Sequence, residues 1–306
     1  MSAIAVPGGS GHLGRTIVEV LQDTTEHTVF VLGRKAPEEE SKKASFLVVD
    51  YGDVAGTAKL LASNNIGTIV STMSIVNKEA GDAQINLVNA AVASGTVKRF
   101  VASDWGVEHT PEAPMYPFRH ASIDALKKTK LEWTYVINGY FLDYFGMPHI
   151  KSYLTPMAFA IDIANKTAGI PGTGNDVVPL TYSFDVAKFV AKLLELPRWD
   201  ETTYCYGDRL TLNEILALAE KVRGTKFTVT YDPPEKLAKG EITELPAHIQ
   251  TYPFFPKQAL QGFLALFGRY IIAGQVALPL EKTLNAKFPD VQTAKAADIV
   301  GAWAGH

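Results

Sequence analysis

Three glycines near the start of the chain constrain its fold more than any other feature of the sequence. Gly8, Gly11 and Gly14 form a G-x-x-G-x-x-G pattern between an apolar segment at 3–6 and a helix-length segment at 13–21. At such a place one glycine permits a tight turn, another lets the backbone approach a pyrophosphate, and the last lets the helix pack against the sheet. Free N–H groups and the positive dipole end of the helix then face the phosphates. The pattern predicts dinucleotide binding, and a plain glycine-rich turn is the alternative.

Short apolar segments alternate with helix-length segments through the first half of the chain. The strand candidates are residues 3–6, 28–32, 46–50, 68–71, 99–102 and 134–138. They are almost continuously apolar, which is typical of strands covered on both faces. This βαβα order predicts an α/β fold with a doubly wound parallel sheet and right-handed crossovers.

The alternation ends after residue 140, where aromatic residues, prolines and glycines interrupt it. A length of 306 residues suggests about two domains. We expect a nucleotide-binding domain over residues 1–150 and a smaller, partly interleaved substrate domain over 151–306. A segment near 200–210 is expected to return to the sheet. Thr211-Leu212-Asn213-Glu214 predicts a capping box at the start of a helix.

Charge and cysteine content exclude several classes of function. The chain has 29 Lys and Arg against 32 Asp and Glu, so it lacks an overall basic field for nucleic acid or an anionic membrane. Its one cysteine, Cys205, excludes an intrachain disulfide and a cysteine zinc cage, and no metal is expected. Arg269 interrupts the most membrane-like segment, and the first residues do not resemble a signal peptide. We expect a cytoplasmic monomer or homodimer with no nucleic-acid or membrane partner.

Two cations follow the second strand candidate. NAD-specific sites usually place an acidic residue here for the ribose 2′-hydroxyl, whereas this sequence has Arg34 and Lys35. An arginine binds phosphate through two N–H groups, and such a charge-assisted pair contributes about 1.5–3 kcal/mol. The cations therefore favour NADPH over NADH. The alternative is a solvated Arg-Lys pair in a loop.

Several further segments resemble the isoflavone-reductase-like, NmrA-like branch of the atypical short-chain dehydrogenases. These segments are Gly8–Gly14, Gln84–Leu87, Val97–Phe100, Ser103–Gly106, Trp133–Val136, Gly139–Phe141 and Leu210–Glu214. The resemblance spans nearly the whole chain. It implies a Rossmann domain that carries NADPH and a smaller C-terminal domain that holds a small, partly aromatic substrate.

The resemblance also implies which residues hold the cofactor. Beyond the three glycines, the matching positions are Ser10, His12, Leu13, Arg34, Lys43, Ser71, Thr72, Tyr140 and Phe141, and Lys35 beside Arg34 is a further cofactor-binding candidate. The first three would lie along the pyrophosphate, and the cations would hold the 2′-phosphate. The Ser-Thr pair would lie near the nicotinamide ribose, and the two aromatic residues would wall the nicotinamide.

At one position the sequence departs from the family. Its reductases carry a lysine on the helix before the strand at 133–136, and the matching residue here is Arg119. An arginine is a poor proton donor, but its fixed charge can polarise a carbonyl or stabilise an enolate oxygen. Either this help suffices, or Tyr116, His120 or Tyr140 donates the proton, or reductase activity is lost. A helix-surface salt bridge is the other interpretation of Arg119.

Two polar residues come directly after the fifth strand candidate. Ser103 and Asp104 would lie at the carboxyl edge of the sheet, where open α/β sheets bind ligands, so both are candidate catalytic residues. A helix cap or turn is the alternative. The leading hypothesis is an NADPH-dependent reductase that transfers hydride to a carbonyl or conjugated double bond. A non-enzymatic NADP(H)-binding regulator and an isomerase or lyase are the alternatives.

Overall fold

The computed structural model describes residues 3–36 and 44–306, so the predicted phosphate ligand Lys43 lies outside the described residues. The chain folds into two compact units. The first comprises Met1–Ile137, Val186–Cys205 and Lys282–Val291, and the second comprises Asn138–Asp185, Tyr206–Glu281 and Gln292–His306. The sequence-based boundary lies near residue 150, with a segment near 200–210 expected to return to the sheet. The chain returns to the first unit twice because one strand and one C-terminal segment pack there.

The described residues form the following strands and α-helices. The strands are β1 (Ala3–Pro7), β2 (Thr28–Gly33), β3 (Ser45–Val48), β4 (Ile66–Val70), β5 (Arg99–Val101), β6 (Glu132–Ile137), β7 (Tyr140–Phe141), β8 (Ile161–Asp162), β9 (Thr167–Pro171), β10 (Val177–Thr181), β11 (Thr202–Tyr204), β12 (Asp208–Thr211) and β13 (Thr228–Asp232). The α-helices are α1 (His12–Thr24), α2 (Val54–Ser63), α3 (Lys78–Ser94), α4 (Tyr116–Lys127), α5 (Ser183–Glu195), α6 (Leu212–Arg223), α7 (Pro234–Ala238), α8 (Pro246–Thr251), α9 (Lys257–Ile272), α10 (Leu284–Lys287) and α11 (Ala296–Gly301).

A seven-stranded sheet forms the centre of the first unit. Its strand order is β11-β6-β5-β4-β1-β2-β3, and every neighbouring pair is parallel. The predicted doubly wound parallel sheet is therefore confirmed, with β11 as the strand that returns late in the chain. β2 and β3 lie on one side of β1, and β4, β5 and β6 lie on the other, so the strand order reverses at β1. Open α/β sheets bind dinucleotides above this reversal point.

Continuous burial of the central strands holds the sheet together. Ile4, Ala5 and Val6 of β1 are fully buried, as are Ile69 and Phe100 on the neighbouring strands. Each of the large side chains among them, those of Ile, Val and Phe, contributes roughly 1.5–3 kcal/mol when it is removed from water. The first unit therefore provides a rigid support for the loops at the carboxyl edge of the sheet.

The second unit contains two three-stranded sheets, ordered β12-β10-β7 and β13-β9-β8. The predicted capping box at the start of α6 is confirmed: Thr211 Oγ1 accepts from the Glu214 N–H at 3.1 Å, and the Thr211 N–H donates to the Glu214 carboxylate at 2.8 Å. The membrane-like segment forms α9. Among the described residues, none of the helices is both long and apolar enough to cross a membrane.

Candidate active site

The glycine turn lies between β1 and α1 and is closely packed on one side. Gly8 has φ +79°, and a Cβ there would lie 2.7 Å from the Thr72 carbonyl oxygen. A Cβ at Gly14 would overlap the Gly8 carbonyl oxygen, so α1 approaches the turn as closely as its backbone allows. Only glycine satisfies both positions without strain.

The space in front of α1 is open. Gly11 is the N-cap of α1 and brings no side-chain cap, and a Cβ there would meet no heavy atom within 4 Å. The first-turn N–H groups of a helix have no intrahelical partner, and here no N-cap side chain binds them. These groups and the helix dipole suit an anionic ligand, so the turn fits the pyrophosphate of a dinucleotide.

A groove of about 1370 Å³ extends along the carboxyl edge of the first-unit sheet. This volume exceeds the roughly 300–1,000 Å³ of a common small-molecule pocket. Of the predicted cofactor residues, the groove is lined by Gly8, Ser10, Gly11, Arg34 and Lys35. Its other walls are the Asp50–Gly52 loop, the loop after β4 and the first half of α3. Sequence reasoning pointed to the loop after β4 through Ser71 and Thr72 and missed the other two walls. The shape suits a long, partly charged ligand.

The cation pair lies on the β2 side of the groove. Arg34 and Lys35 are both exposed. Burial raises the pKa of the Tyr51 hydroxyl, and the positive charge of Arg34 opposes that rise. The positive charge of Arg34 therefore influences the Tyr51 hydroxyl in the groove wall, and the exposed guanidinium stays accessible to a phosphate.

Four other predicted cofactor residues do not line the groove. Leu13 is buried on the inner side of α1, and Ser71 is fully buried. Thr72 Oγ1 donates to the Pro7 carbonyl at 2.7 Å, which ties the loop after β4 to β1. His12, the first residue of α1, has φ +40° and is exposed. Direct contacts of these four side chains with a cofactor stay predictions.

The aromatic pair predicted at the nicotinamide belongs to the second unit. The Tyr140 hydroxyl donates to the Phe267 carbonyl at 3.1 Å, and its ring stacks on Phe159 at 5.0 Å. Phe141 lies edge-on to Tyr144. Burial raises the pKa of the Tyr140 hydroxyl well above its usual range, which disfavours its ionisation. A role of either residue at the cofactor stays a prediction.

Arg119 is the centre of a polar cluster in the first unit. It lies on α4, and its Nη1 donates to the Asp104 carboxylate at 2.8 Å and to His109 Nε2 at 2.9 Å. Its Nε donates to the Ile75 carbonyl at 3.2 Å. Among the residues that the structure describes, none is hydrogen-bonded to Nη2. Arg119 is therefore held in place with one donor group left for a ligand.

His109 was missed in the sequence because it lies in an irregular segment without periodicity. Burial lowers the pKa of its imidazole to about 3, and the charge of Arg119 acts in the same direction. A guanidinium only donates, so His109 Nε2 accepts and the neutral ring carries its proton on Nδ1. Burial also raises the pKa of the Asp104 carboxyl, which Arg119 opposes.

Of the remaining catalytic candidates, Tyr116 and His120 lie with Arg119 on α4, whereas Ser103 follows β5 and contacts the loop after β4. Tyr116 and His120 stack at 4.8 Å on α4, and the His120 ring lies 3.7 Å from Asp124. Ser103 is buried, and its Oγ donates to the Met73 carbonyl at 2.7 Å. A cleft of about 160 Å³ brings four of the predicted residues together with His109: Asp104, Tyr116, Arg119 and His120. Ser103 does not line it.

The profile of the NmrA-like family matches residues 1–289 of the chain. The chain belongs to the NmrA-like family. Oxidoreductase BOA1 of Botryotinia fuckeliana is 34% identical over 298 residues, which cover 95% of this chain and 96% of that protein. This match confirms the resemblance seen in the sequence motifs.

Solved structures share the NmrA-like fold over nearly the whole chain. The leucoanthocyanidin reductase–NADPH complex from Vitis vinifera has a TM-score of 0.76 at 19% identity and covers 99% of both chains. AtPrR2 with NADP⁺ and (+)pinoresinol also has a TM-score of 0.76, at 22% identity and 99% coverage of both chains. At these identities the similarity concerns the fold.

Proposed function

We propose that this NmrA-like protein is an NADPH-dependent reductase of a small, partly aromatic molecule that carries a carbonyl or conjugated double bond. The observation that carries the proposal is one groove that combines an open glycine turn at a helix N-terminus with the exposed cations Arg34 and Lys35. These groups suit a pyrophosphate and a 2′-phosphate respectively. Relatives named as oxidoreductases support the same class.

Arg119 has the charge to assist the reduction, and its Nε is bound to the loop after β4, whose Met73 and Ser74 line the groove. The glycine turn, Arg34 and Lys35 would hold NADPH, which would supply the hydride for the electrophilic carbon of the substrate. The displaced electron pair would move to the substrate oxygen. The fixed charge of Arg119, acting through Nη2, would stabilise that oxyanion. A proton from solvent or from a cleft residue would then neutralise the substrate oxygen.

The cluster around Arg119 explains how an arginine could replace the family lysine. Asp104 and His109 hold Nη1, and the Ile75 carbonyl holds Nε, so the guanidinium has little freedom to rotate away. Preorganised charge of this kind is more effective than a mobile charge in water. Because the pKa of His109 is lowered to about 3, its ring is neutral near neutral pH and has no imidazolium proton to donate to the substrate.

Oxidation of NADPH over a panel of quinones, enones and aryl ketones tests the proposal. We expect turnover on at least one class, a strong preference for NADPH over NADH, and a loss of turnover in Arg119→Met. Consumption of NADPH must match the reduced product one to one. Product formation without net NADPH consumption would instead support an isomerase or lyase.

A non-enzymatic NADP(H)-binding regulator is the second candidate, and the full engagement of Arg119 Nη1 and Nε favours it. In that case the arginine would have a structural role, and the groove would bind dinucleotide without hydride transfer. The same assay separates the two functions. NADPH binding with no turnover on any acceptor, unchanged by Arg119→Lys, would support the regulator.

A further inference from the structure

Three side chains that follow β5 each hold a carbonyl of the loop after β4. Trp105 Nε1 donates to the Ser71 carbonyl at 3.0 Å, and Ser103 Oγ donates to the Met73 carbonyl at 2.7 Å. The Nε of Arg119 donates to the Ile75 carbonyl at 3.2 Å. The acceptors are alternate residues of one segment, as expected for an extended backbone that turns alternate carbonyls to one side. We call Ser103, Trp105 and Arg119 the loop clamp.

The opposite side of the same loop is bound to β1. The Thr72 N–H and Thr72 Oγ1 both donate to the Pro7 carbonyl, at 2.8 Å and 2.7 Å. The loop is therefore fixed from two sides, although it is neither helix nor strand. Met73 and Ser74 of this loop, and Asn77 beyond it, line the dinucleotide groove.

The loop clamp is itself anchored by buried groups. The Ser103 N–H donates to Gln84 Oε1 at 3.1 Å, and Gln84 Nε2 donates to Ser122 Oγ at 2.8 Å. Ser122 Oγ in turn donates to the Arg119 carbonyl at 2.7 Å. Gln84 and Ser122 are fully buried. These bonds connect α3, α4 and the segment after β5, so the clamp is a rigid base for the loop.

We infer that Ser103 and Trp105 are positioning residues that hold the loop after β4 as a preformed wall for the nicotinamide half of the dinucleotide, an inference that rests on the proposed cofactor. Arg34 and Lys35 lie at the end of β2, on one side of β1, and the clamped loop follows β4 on the other side. A dinucleotide crosses the sheet at this reversal point. With its 2′-phosphate at the cations, its other half reaches the clamped loop.

Two ligands of different length distinguish a specific effect of the clamp on the nicotinamide half from a general loss of protein stability. NADPH carries both halves, whereas adenosine 2′,5′-bisphosphate carries the 2′-phosphate and adenosine without nicotinamide. We expect Ser103→Ala and Trp105→Phe each to weaken NADPH binding by about three- to ten-fold, the equivalent of one neutral hydrogen bond. Binding of the bisphosphate should not change. Titration calorimetry measures both affinities without relying on turnover.

Matched controls lie in the same unit. Ser94 Oγ donates to the Ala91 carbonyl at 2.7 Å, and Trp199 Nε1 donates to the Leu193 carbonyl at 2.8 Å. Neither residue lines the groove. Ser94→Ala and Trp199→Phe should therefore leave NADPH affinity unchanged.

Three outcomes would overturn the inference, and they are distinguishable. Unchanged NADPH affinity in both clamp variants would show that the loop does not depend on the clamp. An equal loss for NADPH and for the bisphosphate would show that the clamp serves only stability. If the unaltered chain binds neither ligand, the proposed cofactor fails and the inference fails with it. Binding of both ligands without turnover would contradict the reductase alone.

Discussion

Arg119 and Asp104 form an ion pair that is largely withdrawn from water. Their nearest atoms are 2.8 Å apart, and 18% and 15% of the two side chains are exposed. Removing one member of such a pair leaves an uncompensated charge in a poorly solvated place, which costs more than the pair contributes. Removal of either residue is therefore expected to destabilise the folded protein, and the ion pair also fixes the position of the Arg119 guanidinium.

We expect Arg119→Met to lower the free energy of unfolding by about 2–3 kcal/mol, because Asp104 then loses its cation. The loss should be smaller for Arg119→Met combined with Asp104→Asn than for the two single changes added together. Urea unfolding measures each value. The exposed pair Lys78–Asp82, with nearest atoms 2.6 Å apart, is the control, and Lys78→Ala should leave stability nearly unchanged. Equal losses at the two pairs would contradict the importance of burial.

His109 should make the protein sensitive to acid. The folded-state pKa of the ring is about 3, against an ordinary value of 6.5. Between these values the unfolded chain binds a proton that the folded chain does not, so stability is complete above about pH 6.5 and falls as pH is lowered. This group alone contributes a slope of about 1.4 kcal/mol per pH unit in that window.

The variant His109→Gln tests this dependence, since a glutamine oxygen can still accept from Arg119 but does not titrate. Its stability near neutral pH should resemble that of the unaltered chain. Between about pH 7 and about pH 5 it should lose roughly 2 kcal/mol less, as measured by urea unfolding at each pH. Parallel pH profiles for the two proteins would show that folding does not lower the pKa of His109.

The parallel sheet could be predicted because its determinants are local. Continuous apolar segments and the glycine turn mark strands and the first crossover without knowledge of distant contacts, and the Thr211–Glu214 capping box spans four residues. Family motifs also indicated Gln84, but the sequence does not show its function. The structure shows that Gln84 joins Ser103 to Ser122.

The loop clamp and His109 could not be predicted because their partners are distant in sequence. Ser103 is 30 residues from the carbonyl that it holds, and Arg119 is 44 residues from its own. His109 meets Arg119 through an irregular segment, where periodicity gives no information. The return of Lys282–Val291 to the first unit depends on packing of the same long range.

Substitution by alanine should affect stability at one glycine of the turn and NADPH binding at another. Gly14→Ala introduces a methyl group that overlaps the Gly8 carbonyl and Thr72 Oγ1, so we expect a loss of about 1–3 kcal/mol in unfolding free energy. Gly11→Ala meets no heavy atom within 4 Å and should fold normally. Because Gly11 lines the groove, its methyl group should nevertheless weaken NADPH binding. Thermal unfolding and calorimetric titration measure the two effects. Unchanged NADPH affinity in Gly11→Ala would place the pyrophosphate elsewhere.

Arg34 should determine the preference for NADPH over NADH. A charge-assisted contact with the 2′-phosphate contributes about 1.5–3 kcal/mol, so Arg34→Ala should weaken NADPH binding by at least about ten-fold. Affinity for NADH, which lacks that phosphate, should stay nearly the same, and so should the melting temperature, since Arg34 is exposed.

Arg209→Ala, at an exposed arginine of the second unit, is the matched control and should change neither affinity. The loss should also shrink as salt is raised, because an accessible ion pair is screened. Equal binding of NADPH and NADH by the unaltered chain would contradict the assignment of the 2′-phosphate to the β2 side of the groove.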